Sequence, residues 1–325
     1  MKRFSLMLLF LTLLTPLALG QGTPYIGLVA YNLDALGGGV TSYGSTLSSA
    51  VGAFVDVRDT TPATFCTRGE FEERLTKISH WVLTSEAVLN MADMGYNGIV
   101  LMPPAPIVDA ERAMDQIAEA LKNIPTVFVQ RAMAGVDAPV FGVDMARLGL
   151  ELGKSMSADG PHPFAVIGHL DDPMQASFLE GLKQSADFKG AYPAFAEFGK
   201  AEATDAFRAI PDLKAIIVTD PSYVAGVLEV TTYTANELGK PIRVISLGAP
   251  QDWETMMAEG KLNGMVSWDE YGIFLQALTA VKAKAMEGAA LENTWFDAVY
   301  YGPSAQPQVL PYPYDQTEVL KSFLN

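Results

Sequence analysis

A single arginine stands directly after an apolar run near the middle of the chain. The segment Ile124–Arg131 reads Ile-Pro-Thr-Val-Phe-Val-Gln-Arg, and a second apolar run, Val140–Asp144, follows it. The guanidinium group of Arg131 is a planar fork of donors that suits bidentate acceptors. Ligands of open α/β sheets bind beyond the carboxyl ends of the strands. The spacing therefore predicts a binding site at Arg131, and it places Asp144 to cap the helix that follows.

Aromatic and polar residues follow other predicted strands at the same relative position. They are Tyr31, His169, Asp220 and Trp268. Aromatic side chains at strand ends also pack against the edge of a core, so a packing role for Tyr31 and Trp268 stays open. For Arg131 the alternative is an ion pair at the surface.

Patterns typical of catalysis are missing from the sequence. Cys66 has no histidine nearby and no Gly-x-Ser-x-Gly run occurs, so Cys66 is interpreted as a buried apolar residue. Gly37–Gly39 lack the neighbours of a phosphate-binding loop and indicate a flexible turn. His169 with Asp171–Asp172 is a possible metal site, but a helix cap explains the acidic pair. A pair of carboxylates for hydrolysis stays open, because nothing marks one. Binding is favoured over catalysis, and no metal or cofactor is expected.

The first twenty residues have the pattern of a secretory signal. Lys2 and Arg3 precede the apolar run Leu6–Leu14, and the small residues of Ala18–Gly20 come before the expected cleavage point. The run is too short to span a bilayer. No cysteine stands at the cleavage point, so we expect export without a lipid anchor.

The charge balance excludes several partners. The chain has 22 basic and 37 acidic side chains and a net charge of −15, and removal of the two basic residues of the signal changes this to −17. An acidic surface disfavours nucleic acids and anionic membranes. The single cysteine cannot form an internal disulfide, so stability must come from the packed core.

Apolar runs alternate with helical patterns along most of the chain, which predicts an α/β protein with parallel sheets covered on both faces. The predicted strands are Tyr25–Tyr31, Ala53–Asp56, Gly98–Met102, Thr126–Gln130, Val140–Val143, Phe164–His169, Ala215–Thr219, Arg243–Leu247 and Gly264–Ser267. The predicted helices are Glu70–Met94, Asp109–Lys122, Met145–Met156, Met174–Ser185, Thr204–Ala209, Ser222–Leu238, Asp252–Glu259 and Tyr271–Met286. Length and strand number favour two sheets. The Pro- and Tyr-rich end predicts a wrapping tail with a short terminal helix.

Several segments, in order and spacing, resemble type I periplasmic solute-binding proteins of the ribose- and galactose-binding kind. They are Gly95–Pro103, Ile124–Arg131, Val140–Asp144 with Gly149, Ala165–Gly168 with Glu180–Leu182, Leu213–Asp220 with Gly226, and Arg243–Leu247 with Gly260–Leu262. The resemblance covers about Tyr25 to Glu287. Lactose-repressor-type regulators share the fold but carry a DNA-binding head, which this chain lacks.

The resemblance implies two Rossmann-like lobes with parallel sheets, joined by three crossovers, that close over one small ligand. After the predicted signal peptide at 1–20, the resemblance implies lobe one at about 22–142 and 269–296, and lobe two at about 143–268 and 297–325. Such proteins work in the periplasm, where they deliver a solute to the permease of an ABC importer or present it to a sensor kinase or chemoreceptor. The sequence leaves these two roles open, with an exported hydrolase as a third. A monomer without catalytic activity or cofactor is expected.

The resemblance also implies a ligand site. Its residues are Tyr31, Asn32, Met102, Gln130, Arg131, Phe178, Asp220, Gly248 and Trp268. Arg131 and Asp220 match polar positions of the family, whereas most of the others stand where a different polar residue is usual. A buried, unpaired hydroxyl costs about 1–3 kcal/mol, so a hexose or pentose held in the usual way is disfavoured. We expect a less hydroxylated, flatter or cationic ligand among Tyr31, Phe178 and Trp268.

Overall fold

The computed structural model of the protein describes residues 22–31, 33, 39–62, 70–105, 107–157, 160–170, 172–194, 199–302 and 306–315. The predicted signal segment, Asn32, Cys66, Asp171 and the predicted terminal helix lie outside these residues. Among the helices that are described, none combines the length and the apolar content that a bilayer crossing requires.

Six strands form the first sheet, and all of its pairs are parallel. The strands are β1 (Tyr25–Ala30), β2 (Phe54–Asp59), β3 (Gly98–Leu101), β4 (Thr126–Val129), β5 (Val140–Gly142) and β11 (Thr294–Trp295), in the spatial order β11-β5-β4-β3-β1-β2. The helices are α1 (Gly39–Val51), α2 (Glu70–Asp93), α3 (Glu111–Leu121) and α9 (Glu270–Glu287). Helices α1 and α9 cover one face and α2 and α3 the other. We call this sheet with its helices lobe one.

Seven strands form the second sheet, which is parallel from β6 to β10 and antiparallel beyond. The strands are β6 (Phe164–Gly168), β7 (Phe188–Pro193), β8 (Ala215–Val218), β9 (Arg243–Leu247), β10 (Gly264–Trp268), β12 (Ala298–Tyr301) and β13 (Pro307–Leu310), in the order β13-β12-β10-β9-β8-β6-β7. Helices α4 (Met145–Met156) and α5 (Pro173–Leu182) cover one face. The other face carries α6 (Lys200–Ala209), α7 (Val224–Leu238) and α8 (Trp253–Ala258). This is lobe two.

The chain passes between the sheets three times, after β5, after β10 and after β11. The predicted architecture of two α/β lobes with parallel sheets and three crossovers is therefore confirmed. Two of the crossings are joined by the buried hydroxyl group of Tyr314, which accepts a hydrogen bond from the backbone N–H of Asp144 at 3.1 Å. The same hydroxyl donates to the carbonyl oxygen of Phe296 at 2.7 Å.

All nine strands predicted from apolar runs are present, with small differences at their ends. Helix α1 and strands β7, β11, β12 and β13 are not anticipated by the sequence reading. The Pro- and Tyr-rich end therefore extends the second sheet by two strands before the described residues stop at 315.

The predicted helix caps are confirmed. The side chain of Asp144 accepts from the backbone N–H of Arg147 at 3.0 Å and so begins α4. Asp172 accepts from the N–H groups of Met174 and Gln175 at 2.9 and 3.2 Å and begins α5. A side-chain acceptor at this position satisfies donors that the helix itself leaves unpaired.

Helices α4 and α5 lie in backbone contact, because each carries a glycine where they cross. A Cβ atom at Gly149 would lie 2.1 Å from the carbonyl oxygen of Phe178. A Cβ atom at Gly181 would lie 2.2 Å from the carbonyl oxygen of Ala146. The crossing therefore holds Phe178 inside lobe two, where its side chain is fully buried.

Candidate functional site

Strand β4 ends in an unusual turn that positions the candidate arginine. Gln130 has a φ of +68°, in the left-handed region that residues other than glycine seldom adopt. Its side-chain oxygen accepts from the backbone N–H of Val143 at 3.2 Å, which ties the end of β4 to the segment after β5. Buried residues with such backbone angles are concentrated at functional sites. The turn places Arg131 at the boundary between the lobes.

Arg131 connects the two lobes directly. Its side chain is 8% exposed. One terminal nitrogen, Nη1, donates to Oδ2 of Asp172 at 2.6 Å, and the other, Nη2, donates to the hydroxyl oxygen of Tyr31 at 2.7 Å. Tyr31 follows β1 in lobe one, whereas Asp172 begins α5 in lobe two. Asp172 therefore caps a helix with one oxygen and holds the arginine with the other.

His80 of α2 completes the cluster on the side of lobe one. Its ring lies edge-on to that of Tyr31, with 4.5 Å between the ring centroids and 89° between the planes. Burial lowers the pKa of His80 to about 4, and the positive charge of Arg131 acts in the same direction, while Asp59 opposes it. Burial also raises the pKa of Tyr31 to about 12. At neutral pH the site therefore presents an uncharged imidazole and a protonated phenol.

We predict that the buried His80 makes the protein lose stability as the pH falls from about 6.5 to about 4. In that interval the unfolded chain binds a proton at this position and the folded chain does not, so acid favours unfolding. Below about pH 4 both states are protonated and the loss stops. A difference from the usual 6.5 to about 4 corresponds to about 3 kcal/mol at most. Urea unfolding at several pH values should show that the free energy of unfolding falls less between pH 6.5 and pH 4 in His80→Gln than in the wild type. Parallel plots of this free energy against pH would contradict the prediction.

Asp220 and Gly248 lie at strand ends of lobe two. Oδ1 of Asp220 accepts from the backbone N–H and the hydroxyl of Ser222 at 2.9 and 2.7 Å, so it caps the short turn after β8. Its Oδ2 lies 3.8 Å from Nε2 of His169. Gly248 has a φ of +89°, and a Cβ atom there would lie 3.3 Å from Pro221, so a glycine suits this turn. Much of the bonding capacity of Asp220 is therefore used within its own lobe.

Trp268 is the predicted site residue that contacts both hydrophobic cores. It is the last residue of β10, immediately before the chain crosses to α9, and it packs partly buried against the clusters of both lobes. Its position at the boundary is compatible with a wall of a binding site and with interlobe packing.

Two predicted site residues belong to the cores instead. Met102 is 7% exposed and packs in lobe one with residues such as Val100 and Phe274. Phe178, which the sequence reading placed in the cleft, is fully buried beneath α4 in lobe two. The reason is helical periodicity. Residues three apart lie on the same face of a helix, and Gly181 lies on the face of α5 that contacts α4. Phe178 lies on that same face, so its side chain packs into lobe two and not into the boundary.

Several polar residues of the site were not recognised in the sequence. His80 lies within a helical pattern, and the sequence indicates a helix cap or a possible metal ligand for Asp172, not a partner of Arg131. Glu270, the first residue of α9, is partly buried beside the second crossing, and burial raises the pKa of its carboxyl group. In lobe two the hydroxyl group of Thr219 donates to the side-chain oxygen of Gln175. Among these residues, Thr219 alone had a position that could have indicated a place at the site, because it follows β8 at the carboxyl end of the strand.

A cavity of about 260 Å³ opens beside Arg131, on the side of β5 and β11. It lies between the ends of lobe-one strands and the first turns of α4 and α5. Its lining includes Gln130, Arg131, Val140, Met174 and Trp295. Nε of Arg131 and Nε2 of Gln130 are buried, and neither has a hydrogen-bond partner in the described part of the chain. Buried donors without partners are rare in folded proteins and point to a missing acceptor.

In the described ranges, no three His, Cys, Asp or Glu side chains are grouped so that they could hold an ion. His169 instead contacts the hydroxyl of Tyr223, with 2.6 Å between Nε2 and the phenol oxygen.

The comparisons with known proteins agree with this geometry. A family model described as a periplasmic binding protein domain matches residues 85–289. Among solved structures, GanP, a glucose-galactose binding protein from Geobacillus stearothermophilus, is similar with a TM-score of 0.69 at 15% identity, over 88% of this chain and 99% of that one. No curated protein matches the sequence.

Two further solved structures are similar over most of their length. A carbohydrate transporter solute binding protein from Agrobacterium radiobacter, in complex with D-arabinose, has a TM-score of 0.64 at 13% identity, over 94% of this chain and 100% of that one. An ABC transporter periplasmic solute binding protein from Actinobacillus succinogenes 130z, with bound D-allose, has a TM-score of 0.63 at 15% identity, over 87% and 99%. At such identities the likeness shows the fold alone.

Proposed function

The chain belongs to the periplasmic binding protein family, and from this premise we propose that it captures a small solute between its lobes and delivers it to the permease of an ABC importer. Membership of the family confirms the resemblance seen in the sequence, and with it a role in binding rather than in catalysis. The proposal includes export to the periplasm after removal of residues 1–20, and action as a monomer.

The observation that carries the proposal is the double contact of Arg131 with Tyr31 in lobe one and with Asp172 in lobe two. A solute that offers acceptors to the same guanidinium group competes with or completes these bonds. It thereby changes the relative stability of the open and closed arrangements of the lobes. A binding event at Arg131 is in this way coupled to the shape that a membrane partner recognises.

We propose a sugar-like solute with fewer hydroxyl groups than a free hexose. The sugars named for similar structures, glucose, galactose, arabinose and allose, support the class. The polar shell of this site is thinner, since Met102 lies in the core and Gly248 has no side chain to offer. Tyr31 and Trp268 supply flat faces that suit the C–H surface of a ring.

Thermal unfolding in the presence of aldoses, polyols, nucleosides and amines tests the proposed function. A solute at a hundredfold excess over its dissociation constant should stabilise the protein by about 2.7 kcal/mol, which raises the Tm by several degrees. Small-angle scattering should then show a decrease of the radius of gyration as the lobes close. Binding without a change of shape, or stabilisation by none of these classes, would contradict the proposal.

A further inference from the structure

The cavity beside Arg131 has two ends of different character. At its buried end are the side chains of Gln130 and Arg131, which are 5% and 8% exposed. The lining also includes the less buried residues Val140, Met174 and Trp295, which we call the outer end. These apolar residues come from both lobes: Val140 and Trp295 belong to β5 and β11, and Met174 belongs to α5.

The buried end offers donors and lacks acceptors. Nη1 and Nη2 of Arg131 are used by Asp172 and Tyr31, but its Nε is buried without a partner in the described residues. Nε2 of Gln130 is also buried without a hydrogen-bond partner in the described residues. The oxygen of the same amide accepts a hydrogen bond from the backbone N–H of Val143. Two buried nitrogens without acceptors, on two residues that line one cavity, point to a ligand oxygen that this end admits when the side chains adjust.

The outer end offers a hydroxyl group few partners. Asp144 lines the cavity and uses Oδ1 to cap α4 through the N–H of Arg147, which leaves its Oδ2 as an acceptor. The hydroxyl of Ser177 donates to the carbonyl oxygen of Pro173 at 2.7 Å. Trp295 is 36% exposed, which leaves a large apolar face without cover. A polar group placed here would lose its water and gain few hydrogen bonds in return.

We propose that this cavity binds the apolar part of an amphipathic solute, namely a monosaccharide carrying an alkyl or aryl substituent, with an acceptor oxygen on Gln130 and Arg131. The inference rests on the proposed function, because it concerns the solute held between the lobes. The cavity volume of about 260 Å³ is enough for a small ring and a substituent, but not for a long oligosaccharide.

Isothermal titration with matched pairs of ligands tests the inference. The pairs are D-glucose, D-galactose and D-xylose, each compared with its methyl and phenyl β-glycosides. We expect at least one phenyl glycoside to bind about tenfold more tightly than its parent sugar, since burial of an apolar ring is favourable. Equal or weaker binding of all glycosides would overturn the inference and leave the proposed function standing. Failure of sugars and glycosides alike would overturn the inference and the proposed sugar-like solute, and failure of every solute class in the thermal screen would overturn the proposed function as well.

Replacement of two alanines by tryptophan tests where the apolar substituent of the ligand binds. Ala146 is exposed at the cavity, as the second residue of α4. Ala146→Trp adds a large side chain at the cavity and replaces no core residue. Ala201 is also exposed and is the second residue of α6, on the opposite face of the same sheet, so Ala201→Trp is the matched control.

We expect Ala146→Trp to remove the advantage of the phenyl glycoside over its parent sugar, so that the ratio of their dissociation constants falls from about ten to near one. In Ala201→Trp the ratio should stay at its wild-type value. Thermal unfolding of both variants checks that they fold. A ratio that survives in a folded Ala146→Trp protein would place the substituent elsewhere and overturn the inference.

Discussion

Replacement of Arg131 by alanine is expected to abolish detectable solute binding and to lower the free energy of unfolding by about 3 kcal/mol. The substitution removes both hydrogen bonds that join Tyr31 to Asp172 across the lobe boundary. It leaves the carboxylate of Asp172 without its cation, in a position where it is only 18% exposed. Loss of one partner of a buried ion pair is costly because the other charge stays desolvated.

The measurements are urea unfolding and titration with any solute that stabilises the wild type. Arg58→Ala is the control, because Arg58 pairs with Asp56 at the surface of β2, with its side chain 49% exposed. Such a pair is worth less than about 1 kcal/mol, so this variant should unfold and bind as the wild type does. Arg131→Lys should recover part of the stability but not the double contact, since one ammonium group cannot reproduce the fork. Unchanged binding in a folded Arg131→Ala protein would refute the role assigned to this residue.

Substitution of Gly149 by alanine is expected to destabilise lobe two by about 3 kcal/mol, the upper part of the range for overpacked cores. The added methyl group would lie 2.1 Å from the carbonyl oxygen of Phe178, which is backbone and cannot rotate away. Helices α4 and α5 would have to separate, and the packing around Phe178 and Leu182 would loosen. The intrinsic preference of alanine for helices recovers at most about 1 kcal/mol.

Gly153 provides a matched control for this prediction, one turn further along α4. A Cβ atom there would lie 3.3 Å from the Cβ of Ser185 and 3.4 Å from the carbonyl oxygen of Leu182, distances that a very small shift of the helices relieves. Gly153→Ala should therefore be close to neutral, while Gly149→Ala should shift the urea midpoint clearly downward. Equal stability of the two variants would show that the α4–α5 crossing yields more easily than its geometry indicates.

The sheet interiors were predictable because burial on both faces imposes uniformly apolar runs. Strands β3, β4 and β8, for example, are buried at every position, and each appears in the sequence as a short, mostly apolar run without a charged residue. Strand β7 was missed because it lies at a sheet edge, with an exposed lysine and a terminal proline in a mostly half-buried run. Helix α1 was missed because its sequence is rich in Gly, Ser and Thr, which favour turns and caps.

The candidate site was predictable only in part, because partners that are distant in the chain meet there. The position of Arg131 after an apolar strand was sufficient to place it at a sheet edge. Its partners Tyr31 and Asp172 are 100 and 41 residues away in sequence, and no periodicity links them. His80 could not be recognised either, since a histidine within a helical pattern gives no sign that it lies at the lobe boundary. Local patterns specify elements, whereas the site depends on how the elements meet.

The hydrogen bonds of Tyr314 have a consequence for spectroscopy. They hold Asp144 and Phe296 close together, so two of the three crossings form one short pivot near β5, β11 and β12. Strands β2 and β7 are the edges of their sheets that lie farthest from this pivot. A rotation about the pivot displaces those edges by the longest arc. A donor and an acceptor dye attached at β2 and β7 would thus magnify a small angular change into a large change of energy transfer, while dyes beside Tyr314 would remain almost silent.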